Sequence, residues 1–217
     1  KENCIIEQGY PRNDFLYNYT EDDVKRIKQK LGIDGINKKI ILYAPTWRDN
    51  QHQAGVGYTY KTEVDFDKLQ KELQDEYIIL FRAHYFVSNS FDFEKYKGFI
   101  YNVSNLDDVN ETYVVSDILI TDYSSVFYDF ASAKKPILFY AYDLDEYINE
   151  TRGLYVGMDT LPGPILQDNE SLVNAIENIE QYDYEHDSKL RDFCDEMAKY
   201  CDGHSCEKVL NIVLKED

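Results

Sequence analysis

Ile118-Leu119-Ile120-Thr121-Asp122-Tyr123-Ser124-Ser125 is the stretch on which the fold turns. Its first three residues are apolar on both faces of a strand, a pattern that belongs to a strand covered from two sides. The run then ends on Thr and Asp, and the two serines open a segment of helical spacing over 124–133. A buried strand that passes through a polar turn into a helix is half of a parallel crossover unit.

The same grammar extends in both directions. Lys39-Ile40-Ile41-Leu42-Tyr43, Tyr77-Ile78-Ile79-Leu80-Phe81 and Pro136-Ile137-Leu138-Phe139-Tyr140 are further short apolar runs. Segments of helical spacing over 21–31, 65–74 and 107–115 alternate with them, several opened by Asp, Ser or Thr in a capping position. Alternation with continuously apolar strands predicts an α/β fold: a Rossmann-like, doubly wound parallel sheet. Its right-handed crossovers place the carboxyl ends of the strands on one edge, where ligands bind. After Tyr140 the pattern changes. An acidic, aromatic stretch over 141–150 is followed by loops punctuated by Gly153, Gly157, Pro162, Gly163 and Pro164, then by helices expected over 171–179 and 188–199. A terminal segment, 205–215, carries Cys206, Val209, Leu210 and Val213 at helical spacing and calls for an apolar partner. The organisation expected is one domain over 1–217, with C-terminal helices from about 186.

At 217 residues, with 43% hydrophobic residues, 20 Tyr and 11 Phe, the chain has the material for one well-buried core. Lys and Arg number 23 against 41 Asp and Glu, a net charge of -18 that repels phosphate backbones and anionic lipid alike, so nucleic acid is not expected as a partner. No apolar run reaches the ~20 residues of a membrane helix, and the expected location is cytoplasmic. The chain does not begin with Met, which fits a fragment of a longer protein. Cys194, Cys201, His204 and Cys206 match no common finger spacing and read as small buried residues, with no metal site expected. Gly-x-Gly-x-x-Gly, Walker, His-Glu-x-x-His and Gly-x-Ser-x-Gly patterns are all absent from the sequence, which argues against dinucleotide oxidoreductases, P-loop enzymes, zincins and elbow hydrolases. No cofactor is expected.

The polar residues just past the strand ends carry the chemistry. Ala44-Pro45-Thr46-Trp47-Arg48-Asp49 follows the first strand, Arg82-Ala83-His84 the second, and Thr121-Asp122-Tyr123-Ser124-Ser125 the third. Ser124 and Ser125 read either as a plain N-cap or as an anion site, where hydroxyls and free backbone N–H groups meet the positive end of a helix. Asp129, one turn on, faces the same way as Ser125 and is placed to accept from a ribose diol. Arg48 and Arg82 have an ordinary reading as ion-pair residues, and His84 as a structural imidazole. Their convergence on one edge favours a site, because a protein of this charge holds a diphosphate only where local donors outweigh the global field.

These residues resemble a known family, the CDP-glycerol glycerophosphotransferases and related polyol-phosphate polymerases of teichoic acid synthesis. The resemblance runs through Gly9-Tyr10-Pro11-Arg12-Asn13-Asp14, Tyr43-Ala44-Pro45-Thr46-Trp47-Arg48, Arg82-Ala83-His84, the 116–125 stretch, Pro136-Ile137-Leu138-Phe139-Tyr140, Leu161-Pro162-Gly163-Pro164 and Asp202-Gly203. It implies the C-terminal, nucleotide-binding half of a GT-B fold, transferring glycerol phosphate or another polyol phosphate from a CDP-activated donor to a polyol-phosphate or glycan acceptor. The missing N-terminal half is implied as the partner that carries the general base, with the whole protein peripheral at the inner face of the membrane. Carried over, Ser124 and Ser125 hold the diphosphate, His84 and Arg48 act as catalytic donors to it, Arg82 joins the binding set, Asp129 binds ribose, and Thr46, Thr121 and Asp122 shape the floor. Tyr85 departs from the family's Pro and leaves that loop without proline's rigidity. A nucleotide-sugar glycosyltransferase or epimerase half-domain, and a noncatalytic nucleotide-binding module, are the alternatives.

Overall fold

The computed structural model describes residues 5–46, 52–53, 57–58, 63–83, 91–147 and 157–214. Six strands form one sheet: β1 (Lys39–Tyr43), β2 (Tyr77–Phe81), β3 (Ile100–Asn102), β4 (Ile118–Thr121), β5 (Ile137–Tyr140) and β6 (Ile165–Leu166). Every pairing in it is parallel, in the spatial order β3-β2-β1-β4-β5-β6. This is the doubly wound Rossmann-like order, with its reversal between β1 and β4. All four strands expected from the sequence form where the apolar runs lie. The two edge strands β3 and β6, of three and two residues, were not anticipated because runs so short carry no periodic signal. A separate two-residue antiparallel ladder pairs His52–Gln53 with Gly57–Tyr58.

The helices are α1 (Glu21–Lys30), α2 (Phe66–Leu73), α3 (Val109–Val115), α4 (Val126–Ala131), α5 (Asn169–Glu177), α6 (Ile179–Met197) and α7 (Ser205–Val213), preceded by a 3-10 turn at Pro11–Asp14 that runs into Phe15–Asn18. N-cap side chains set the starts of four of them. Thr20 and Asp23 form a reciprocal capping box on α1, Asp65 accepts from the Lys68 amide on α2, Asp108 from Asn110 on α3, and Asp168 from Glu170 and Ser171 on α5. The strand pleat divides the core in two. Ile41, Tyr43, Ile79, Phe81, Ile118 and Ile120 face α2 and α5, while Ile40, Leu42, Ile78, Leu80 and Leu119 face α1, α3, α4 and α6.

Three expectations need correction. The C-terminal helices begin at Ile179 rather than near 186, because 179–187 belongs to one 19-residue helix, with Arg191 paired to Asp187 one turn away at 2.6 Å. Helix α4 is shorter than 124–133: Ser125 occupies its N-cap position, and Lys134, at φ 53, lies in the left-handed region past its end. Helix α7 forms where expected, yet Leu210 is 54% and Val213 62% exposed, so the described residues cover little of its apolar side. The cysteines are not uniformly buried. Cys194 is half-buried with its thiol on the Ala131 carbonyl at 3.3 Å, and Cys206 is exposed.

Candidate functional site

In a doubly wound sheet the reversal in strand order, here between β1 and β4, marks the edge at the strands' carboxyl ends where ligands bind. The residues lining it are cross-tied. The Ala44 amide donates to the Ile120 carbonyl at 2.9 Å, and the buried Thr121 hydroxyl donates to the Ala44 carbonyl at 2.7 Å. Asp122, 5% exposed, accepts from the Thr46 amide at 2.7 Å and the Tyr123 amide at 2.6 Å through the same oxygen, Oδ1. Thr46, Thr121 and Asp122 therefore form one hydrogen-bonded floor joining two strand ends that are distant in sequence.

From the other side of β1, the Arg82 amide continues the sheet by donating to the Tyr43 carbonyl at 2.9 Å. Its guanidinium Nη1 donates to the carbonyls of Val103 and Leu106, each at 3.1 Å, and the Ala83 amide donates to the Ser104 hydroxyl at 3.2 Å. Burial lowers the Arg82 pKa from its ordinary value. Arg82 is thus an anchor that straps the exit of β2 to the loop after β3. Beyond β4, Tyr123 stacks on Tyr147 with ring centroids 3.7 Å apart, and its hydroxyl donates to Asp143 at 3.0 Å, drawing the acidic segment after β5 to the rim of the serine turn.

Ser124 is half-buried and Ser125 exposed. Ser125 holds the N-cap position of α4, but its hydroxyl makes no capping bond, so the side chain is not engaged as a plain N-cap would be. Asp129 is different. It is 6% exposed, and both carboxylate oxygens are taken by protein donors, Oδ2 by Arg12 and Oδ1 by Asn13 at 2.9 Å. A ribose diol reaching Asp129 would have to displace these two side chains. Arg48 and His84 lie outside the described residues.

The Gly9-to-Asp14 segment, which carried part of the family resemblance without a role attached, is a hub. Gly9 sits at φ +88 with the Tyr200 carbonyl and the Ser205 hydroxyl against it, where any Cβ would collide. Asn110 in α3 donates to the Arg12 carbonyl at 2.7 Å, and Asp14 caps α7 by accepting from the amides of Ser205 at 2.9 Å and Cys206 at 2.7 Å. The only sequence signal for these contacts was the cluster of chargeable and amide side chains packed into four residues. Its partners are about 100 to 190 positions away and left no mark beside it. Among the described residues no group of three or more His, Cys, Asp or Glu stands close enough to hold a metal ion.

Comparison with known proteins identifies the family. A family model described as CDP-glycerol:poly(glycerophosphate) glycerophosphotransferase matches residues 1–215. The chain is 43% identical over 215 residues to a teichoic acid poly(glycerol phosphate) polymerase of Bacillus subtilis, covering 98% of this chain and 29% of that protein. It is 37% identical over 218 residues to a teichoic acid poly(ribitol-phosphate) polymerase of Bacillus spizizenii, covering 97% of this chain and 33% of that one. A structure of a variant of the wall teichoic acid polymerase TagF soaked with CDPG superposes with a TM-score of 0.90 at 38% identity, covering 98% of this chain and 52% of that chain. The chain thus spans about half, or less, of the length of these relatives. From fold, motif order and nearly complete coverage, this chain belongs to the CDP-glycerol:poly(glycerophosphate) glycerophosphotransferase family.

Proposed function

We propose that the chain is the donor-binding half of a transferase that moves glycerol phosphate from CDP-glycerol to a hydroxyl of a teichoic-acid-type polymer. The observation that carries the reading is the strand reversal, where the Thr46 amide is tied to Asp122 and the Ser124–Ser125 turn follows with no side-chain cap on its helix. The hydroxyls and amides of that turn would receive the diphosphate, with Arg48 and His84 neutralising its charge. The acceptor oxygen attacks the phosphorus that bears glycerol, the bond from that phosphorus to the bridging oxygen breaks, and CMP leaves with the electron pair. The acceptor proton passes to a base in the preceding half, the missing partner of this one. The chain's own groups act by holding donors where negative charge accumulates, which needs no reorganisation as the bond breaks. Asp129 then serves the site by holding its framework rather than by meeting ribose. Glycerol phosphate is the unit proposed because the family description and four of the chain's relatives name it. The reading places the full-length protein in the cytoplasm, peripheral at the inner face of the membrane.

Calorimetric titration of the chain with CDP-glycerol, CDP-ribitol and a UDP-sugar tests it. CDP-glycerol should bind, with the UDP-sugar at least ~tenfold weaker. Equal affinity for the uridine ligand would favour a nucleotide-sugar enzyme, and binding of none of the three would favour a noncatalytic module.

A further inference from the structure

Helix α4 has only six residues, too few to hold its own position, and its Ser125 adds no side-chain cap. Phe127 and Phe130 seat one side of it in the core, but apolar contact is non-directional and leaves rotation and rise along the helix axis loosely specified. Beside the weak Cys194 thiol contact at Ala131, the strong directional hold comes from Asp129, four residues beyond Ser125 and on the same helix face. Its buried carboxylate takes two donors from adjacent residues of one segment, Arg12 and Asn13. That segment is fixed independently: Asn110 grips the Arg12 carbonyl, the Arg12 guanidinium lies 4.4 Å over the Tyr10 ring, and Asp14 is bound to the start of α7. Charge-assisted hydrogen bonds of this kind define position more sharply than neutral ones.

We infer that Arg12, assisted by Asn13, is a positioning residue of the donor site: through Asp129 it sets where the Ser124–Ser125 turn stands relative to the Thr46–Asp122 floor. The inference rests on the donor-site reading above. It assigns Arg12, whose side chain is 52% exposed and reads as a surface cation, to the geometry of the diphosphate pocket.

The test uses the full-length protein with Arg12→Ala, Arg12→Lys, Asp129→Asn, Ser125→Ala and the Arg12→Ala/Ser125→Ala pair. Hydrogen exchange of peptides covering 121–128 should quicken about tenfold in Arg12→Ala while peptides from β1 and β2 stay unchanged, with Arg12→Lys in between. Where Arg12→Ala does not fold, the nearly isosteric Asp129→Asn supplies the same readout. CDP-glycerol affinity should fall about tenfold in each single alanine variant and by no more than about twentyfold in the pair, since both changes disable one turn. Unchanged exchange at 121–128, or losses that multiply to about a hundredfold in the pair, would overturn the inference while leaving donor binding intact. A wild-type protein that binds no CDP-glycerol would overturn the donor-site reading and this role with it, even if the exchange pattern showed that Arg12 clamps α4.

Discussion

At the scale of single residues, chemistry and scaffolding are divided between neighbours. Ser125 keeps its hydroxyl out of the helix cap while Asp122, three residues earlier, is buried and committed to two amides. Arg82 and His84 stand in one tripeptide, but the Arg82 guanidinium is bound to two carbonyls, which leaves His84 as the member of that motif proposed to meet the donor. In the full-length enzyme His84→Ala should lower turnover about a hundredfold or more, the cost of losing one positioned donor to accumulating charge. Steady-state kinetics on CDP-glycerol checks this, and near-normal turnover would remove His84 from the mechanism. Residue types at the strand ends could be read from sequence. Which of them face a ligand and which tie the backbone together depends on partners such as Val103 and Leu106, more than 20 positions away from Arg82.

Elements are held in register by contacts that a local reading of the chain does not contain. The Leu161-Pro162-Gly163-Pro164 stretch lies against β5 so closely that a Cβ at Gly163 would run into the Ile137 carbonyl, and the Pro164 carbonyl accepts from the Phe139 amide at 2.9 Å as β6 begins. Gly163→Ala should therefore destabilise the fold by roughly 1 to 3 kcal/mol and lower the melting temperature by about 2 to 4 °C for each of them. A thermal melt within a degree of wild type would show that the loop has room to give. At the far end of the chain, burial pushes the Asp14 carboxyl up, but the amides of Cys206 and Ser205 more than offset it and hold the pKa below its ordinary value of 3.8. A depressed carboxylate contributes stability that is complete above the unfolded value and disappears as pH falls through the folded one. The gap in denaturant stability between wild type and Asp14→Asn should thus stay constant above about pH 5 and close below 3.8. A gap that persists into strong acid would rule out the ionised cap as its source.

Over the whole molecule, a net charge of -18 surrounds a site proposed to hold a diphosphate. Added salt should screen that repulsion and leave donor affinity level or slightly higher, whereas a steep loss of affinity in a calorimetric salt series would reveal a far more basic site. The isolated chain should bind the donor weakly and transfer nothing, and a radiolabel transfer assay that detects product from it would refute the division of labour between halves. Much of this architecture was legible beforehand. Short doubly apolar runs bounded by turn residues fit strands covered on both faces, and their alternation with capped helical segments makes a parallel sheet the arrangement that buries them, so the fold class follows from residue order. The edge strands β3 and β6, the extension of α6 back to Ile179 and the grip of Arg12 on Asp129 did not follow. Periodicity is a local property, carried by neighbours within a few residues. Hydrogen bonds across 116 or 191 positions exist only once the chain has closed on itself, so tertiary structure alone decided which polar side chains tie distant elements together.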